Sequence, residues 1–164
     1  MTPSGWHDDT RSRDAGHDEM QLAVLRKLKS REPEPIPGRF NEVYKFRGVY
    51  AEFPFYLNGQ IIAFADVCEV FRTDKAGYGG YYELFYVAYE IKPRILSVGG
   101  VIRQALALDS AIERAKQGRQ STANQCRVIP VVPAHDPKID LLREMYNGSI
   151  WAWGSSRIVM EGAA

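Results

Sequence analysis

Cysteine is scarce: only Cys68 and Cys126 occur in 164 residues. Two thiols exclude a disulfide framework, and they exclude a four-cysteine zinc or iron–sulfur site built from one chain. Both lie in apolar, strand-like runs and read as buried free thiols. Histidine is rare too. His7, His17 and His135 are scattered, and no H-E-x-x-H or other zinc spacing appears. The phosphate-loop pattern G-x-x-x-x-G-K-[ST] is missing, so the chain itself is not expected to hydrolyse ATP. No nucleophile-elbow motif supports Ser-His-Asp catalysis. No apolar run reaches transmembrane length and no signal-peptide apolar core is seen, so a soluble, cytoplasmic protein without a membrane partner is expected. Net charge is small, at +1. That decides nothing about nucleic acid, because a local basic patch hides in a balanced total.

What is present is an ordinary globular composition, 45% hydrophobic and 25% charged, in a chain long enough for one domain with a core. Residues 1–17 are polar and aperiodic and read as a disordered arm. Residues 18–155 form the expected domain, and 156–164 a C-terminal tail. "DEMQLAVLRKLKSR" (18–31) spaces Leu22, Leu25 and Leu28 for a helix, with acids first and bases last, as the helix dipole favours. "EPEPIPG" (32–38) ends it, since proline cannot continue a helix. Three aromatic or β-branched runs follow: 49–57, 60–71 and 81–92. "NG" (58–59) joins the first two as a tight turn, so the three read as an antiparallel meander. A helix over 97–117 then aligns Val101, Ala105, Leu108 and Ile112. "CRVIPVV" (126–132), "PKIDLLREMY" (137–146) and "SIWAWGS" (149–155) read as strand, helix and strand. The order α-β-β-β-α-β-α-β predicts an α/β fold with a mixed central sheet flanked by helices. The strand after the long helix is expected to pair in parallel with the third strand.

Chemistry concentrates in the third strand. "YVAYEIKPRI" (86–95) carries Glu90 and Lys92 on one face, by the two-residue period, and then meets Pro93. An E-x-K tripeptide alone is more often a rim ion pair. The preceding strand changes the reading, because Asp66 is a lone acid inside "IIAFADVCEVF", where an unpaired buried carboxylate is costly. Asp66 beside Glu90 would be a repelling pair unless a cation lies between them. Mg2+ suits such oxygen ligands.

These stretches resemble the PD-(D/E)xK nuclease superfamily, in its RecB-type exonuclease-like branch. The matching residues lie in "NGQIIAFADVCEV", "YVAYEIKPRI" and "GGVIRQALALDSAI". The likeness follows element order over residues 18–132 and rests on about ten positions. It implies a restriction-endonuclease-like sheet. It also implies an enzyme, a Mg2+- (or Mn2+-) dependent deoxyribonuclease that hydrolyses phosphodiesters with a metal-activated water. Asp66 and Glu90 would ligate the metal with the main-chain carbonyl of Ile91. Lys92 would be the catalytic lysine, and Gln104 would approach from the following helix. Glu19, on the first helix, is the candidate for an additional acid. The cysteines that bind a cluster in some relatives are absent here, so no iron–sulfur cluster is expected.

Gln104 also fits the border of a helix–sheet interface, and Glu19 fits a helix start through the dipole alone. Arg94 and Arg103 are candidate phosphate contacts. Tyr78, in the glycine-rich loop "DKAGYGGYY", is a candidate stacking partner for unpaired bases. DNA is the expected substrate, with RNA not excluded. A homodimer or partner protein is a further expectation, with Trp151 and Trp153 as possible contacts. The rival reading is a catalytically inactive nuclease-like fold that binds nucleic acid or assembles into a larger complex.

Overall fold

The computed structural model describes residues 15–38, 42–74, 82–116, 124–154 and 158–161. Among these, three helices and one seven-stranded mixed sheet make an α/β fold. The helices are α1 (Ala15–Lys29), α2 (Val98–Arg114) and α3 (Ile139–Met145). The strands are β1 (Ile36–Pro37), β2 (Val43–Leu57), β3 (Gln60–Thr73), β4 (Leu84–Ile91), β5 (Gln125–Pro133), β6 (Ile150–Trp153) and β7 (Ile158–Glu161). Strand order in the sheet follows chain order. The expected meander is present, because β2–β3 and β3–β4 pair antiparallel, and β5 pairs parallel with β4 across the α2 crossover. Two strands lie outside the expected order: the short edge strand β1, and β7, which pairs with β6 from within the expected tail. No described helix is long and apolar enough to cross a membrane.

The two faces of β4 are both covered, which is why "YVAYEI" is buried without alternation. Val87, Tyr89 and Ile91 meet Met20, Val24 and Leu28 of α1. On the opposite face, Tyr86 and Ala88 meet Ala105, Leu108 and Ile112 of α2. The predicted apolar row of α2 is therefore its core face. Ser97 caps that helix by accepting the Gly100 N–H at 3.1 Å. The row proposed for α1 needs correction. Leu28 is buried and Leu25 partly so, but Leu22 is 47% exposed. The buried face is instead His17, Met20, Gln21, Val24 and Leu28, which pulls the helix start back to Ala15 and His17 out of the expected arm. Trp151 is likewise a core residue, 1% exposed and edge-on to Tyr89 at 5.5 Å.

The long β2–β3 hairpin turns at Asn58–Gly59, whose φ values of 52° and 77° suit a tight reverse turn. It also bends in mid-strand. Val49, Val67 and Phe71 belong to the α1-side core, whereas Phe53, Phe55, Ala63 and Ala65 belong to the α2-side core. All are odd-numbered, so a regular strand would keep each strand's set on one face. The change of face falls at Glu52, whose φ is 53°. The ladder runs from Ala51↔Val67 to Phe53↔Ala65 and leaves out the step where Glu52 meets Asp66.

A left-handed backbone at a non-glycine residue costs roughly 1–2 kcal/mol. Glu52→Val and Glu52→Gly both remove the carboxylate, but only glycine adopts this φ freely. Valine, normally the better strand residue, should therefore be the less stable of the two by about 1–2 kcal/mol in urea unfolding. Equal stabilities would mean that no left-handed residue is held here.

Candidate active site

Asp66 stands where β3 leaves β4. The last paired positions are Val67 and Tyr89, so Asp66 and Glu90 are each the next residue beyond that ladder. The Ile91 N–H, past the end of that ladder, donates to Asp66 Oδ2 at 2.8 Å. Lys92 then turns to the other neighbour and donates its N–H to the Val131 carbonyl at 2.9 Å. An extended strand sends a residue's N–H and C=O to the same side. The Ile91 carbonyl therefore lies on the Asp66 side.

The other predicted partners gather around Glu90. Lys92 Nζ lies 3.5 Å from Glu90 Oε2, and it donates to Gln104 Oε1 of α2. These side chains are largely enclosed: 15% exposed at Asp66, 10% at Glu90 and 20% at Lys92. Arg94 and Arg103 are exposed. Gly99 leaves room for the Arg103 guanidinium, since a Cβ at Gly99 would stand 3.2 Å from Nη1. Tyr146 lines the neighbouring region and donates to the Val128 carbonyl at 2.6 Å. Burial, then the charges of Asp109 and Glu90, push its hydroxyl up to about 12, so it stays protonated at neutral pH.

Glu19 does not join them. It lies on the exposed side of α1, between buried His17 and Met20, and the helix offers two other residues instead. His17 Nε2 is 3.5 Å from Asp66 Oδ2. Gln21 Nε2 donates to the Asp66 carbonyl at 2.8 Å and to Glu52 Oε1 at 3.1 Å. The spacing His17, Gln21, Val24, Leu28 is one helical face (i, i+4, i+7, i+11). That pattern, carried back into the polar segment, is the sequence signal that would have revealed both. Tyr78 lies outside the described residues.

Glu69, three residues past Asp66, is buried with partners of its own. It is 2% exposed, receives the Tyr89 hydroxyl at 2.6 Å and lies 3.3 Å from Arg31 Nη2. Burial raises its carboxyl above the usual range, and the Tyr89 hydrogen bond and the Arg31 charge pull it back only in part. The folded protein thus holds a proton that the unfolded chain has already released, so stability falls as pH rises from about 4.3 through the raised value. Glu69→Gln should flatten that decline in melting temperature between about pH 4 and 7. An unchanged slope would assign it to other groups. Both cysteines are free thiols pushed up first by burial, Cys68 fully enclosed and Cys126 partly, which makes them poor nucleophiles.

Among the described residues, no three His, Cys, Asp or Glu side chains are gathered closely enough to hold a metal ion by themselves. Two carboxylates and a main-chain carbonyl are a different, all-oxygen donor set, and that set suits a hard cation which keeps several waters. Comparison with protein-family models, with curated proteins and with solved structures gives no match.

Proposed function

We propose that the chain is a divalent-metal-dependent nuclease of restriction-endonuclease-like fold, acting on the phosphodiester bonds of DNA. The observation that carries this reading is that Asp66 and Glu90 each stand one step past the end of the β3–β4 ladder, with Lys92 held between Glu90 and Gln104. Two carboxylates side by side repel unless a cation is shared, and a lysine fixed at their edge suits a reaction that builds negative charge.

Asp66, Glu90 and the Ile91 carbonyl would hold Mg2+ or Mn2+, with the His17 imidazole bordering Asp66. When bound there, such an ion supplies an activated water and offsets charge on the phosphate. Lys92 Nζ orients the attacking water or donates to a phosphate oxygen. The Gln104 carbonyl oxygen keeps the ammonium directed at the site, since an amide oxygen accepts only. Arg94 and Arg103, both exposed and close in sequence to Lys92 and Gln104, would hold flanking phosphates.

The second reading is an inactive nucleic-acid-binding or assembly module. A panel of linear, circular, single-stranded and branched DNA, and RNA, separates the two. The enzyme reading expects cleavage of at least one DNA form with Mg2+ or Mn2+ that stops on chelation. Salt-sensitive binding without cleavage would favour the module.

A further inference from the structure

The change of face in the β2–β3 hairpin falls where Glu52 and Asp66 lie opposite each other, and it does not sustain itself. It requires a left-handed Glu52, and it takes the Asp66 carbonyl out of the strand ladder. A buried carbonyl that leaves a ladder needs another donor. Gln21 supplies it. Its amide nitrogen has two protons, and one side chain uses them on the two halves of the bend: the Asp66 carbonyl at 2.8 Å and Glu52 Oε1 at 3.1 Å. Gln21 is itself 8% exposed, held by the α1 face that packs Met20, Val24 and Leu28 on the sheet. The aspartate's position is thus tied from three directions: its carbonyl to Gln21, its Oδ2 to the Ile91 N–H, and its strand to the bend at Glu52.

We infer that Gln21 is a positioning residue for the proposed metal site: it clamps the bend across Glu52 and so fixes Asp66 at the end of the β3–β4 ladder. The inference rests on the proposed function, and it adds that α1, through a residue that touches neither substrate nor metal, sets the site's affinity for a divalent ion. Removing a partner behind a metal ligand typically weakens metal binding by about 10–100-fold. A residue that only stabilised the fold would leave the affinity of the folded protein unchanged.

The test is Mn2+ titration of the full chain by calorimetry, with melting temperatures measured alongside. Gln21→Met keeps the length of the side chain and removes both hydrogen bonds. It should bind Mn2+ at least about tenfold more weakly than wild type. Glu52→Gln keeps an acceptor for Gln21 and should bind within about threefold of wild type, the expected loss being reserved for a missing clamp. Leu25→Ala loosens the packing of α1 without touching the clamp; its melting temperature should fall while its affinity holds. Should Gln21→Met not fold, Gln21→Asn, which withdraws the amide by one methylene, is read by the same tenfold criterion. A folded Gln21 variant that binds Mn2+ like wild type, or a Leu25→Ala affinity that falls in step with Gln21→Met, overturns the clamp and leaves the proposed function standing. A wild-type chain that binds no Mn2+ overturns both.

Discussion

Asp66→Asn should lower metal-dependent DNA cleavage by about 1,000-fold or more, equivalent to roughly 4 kcal/mol of transition-state stabilisation. The substitution is chosen because it alters charge and little else. Asparagine keeps the volume of the side chain and a carbonyl oxygen able to accept the Ile91 N–H that Oδ2 now takes at 2.8 Å. The Gln21 bond to the main-chain carbonyl of residue 66 is untouched. Melting temperature should therefore stay close to that of wild type, while only one of the two proposed carboxylate ligands remains. Single-turnover cleavage with Mg2+, beside a thermal melt, checks both halves. Wild-type rates in a folded Asp66→Asn protein would remove Asp66 from the chemistry.

The second large effect is expected at Lys92. Lys92→Met keeps an unbranched stem of similar length and removes the ammonium that joins Glu90 to Gln104. Cleavage should fall by about 100-fold or more, the usual consequence of losing a donor aimed at developing charge. Metal binding should move the other way. Without the cation 3.5 Å from its oxygen, Glu90 presents a more negative site, so Mn2+ should bind as tightly as before or more tightly. Loss of cleavage with metal binding retained separates Lys92 from Asp66. Parallel loss of both would make Lys92 a support for Glu90 rather than a participant.

The skeleton of the site was legible because it depends on short-period patterns. Alternation placed Glu90 and Lys92 on one face, the Asn58–Gly59 turn fixed the hairpin, and the helical row Val101, Ala105, Leu108, Ile112 set Gln104 at the edge of the interface. What escaped depends on a single irregular residue. A left-handed glutamate inside a strand leaves no trace in composition, since glycine or asparagine is what such a backbone ordinarily selects. Spacing could have put Gln21 on the buried face of α1, but its two hydrogen bonds follow from that bend, and neither they nor the contribution of Glu52 could be read from spacing. His17 was hidden differently. Its turn of α1 is polar and lies next to leucines that pointed to the wrong face. Glu19 was drawn in by the family resemblance, whereas the helix dipole favours an acid at a helix start whichever way it points.

Everything proposed for this chain depends on Asp66 and Glu90 sharing a cation. Titration calorimetry of wild-type and Asp66→Asn protein with Mn2+, at neutral pH and without nucleic acid, tests that directly. The account predicts binding to the wild-type chain that is lost in Asp66→Asn. No binding to the wild-type chain, or equal binding to both, would contradict it.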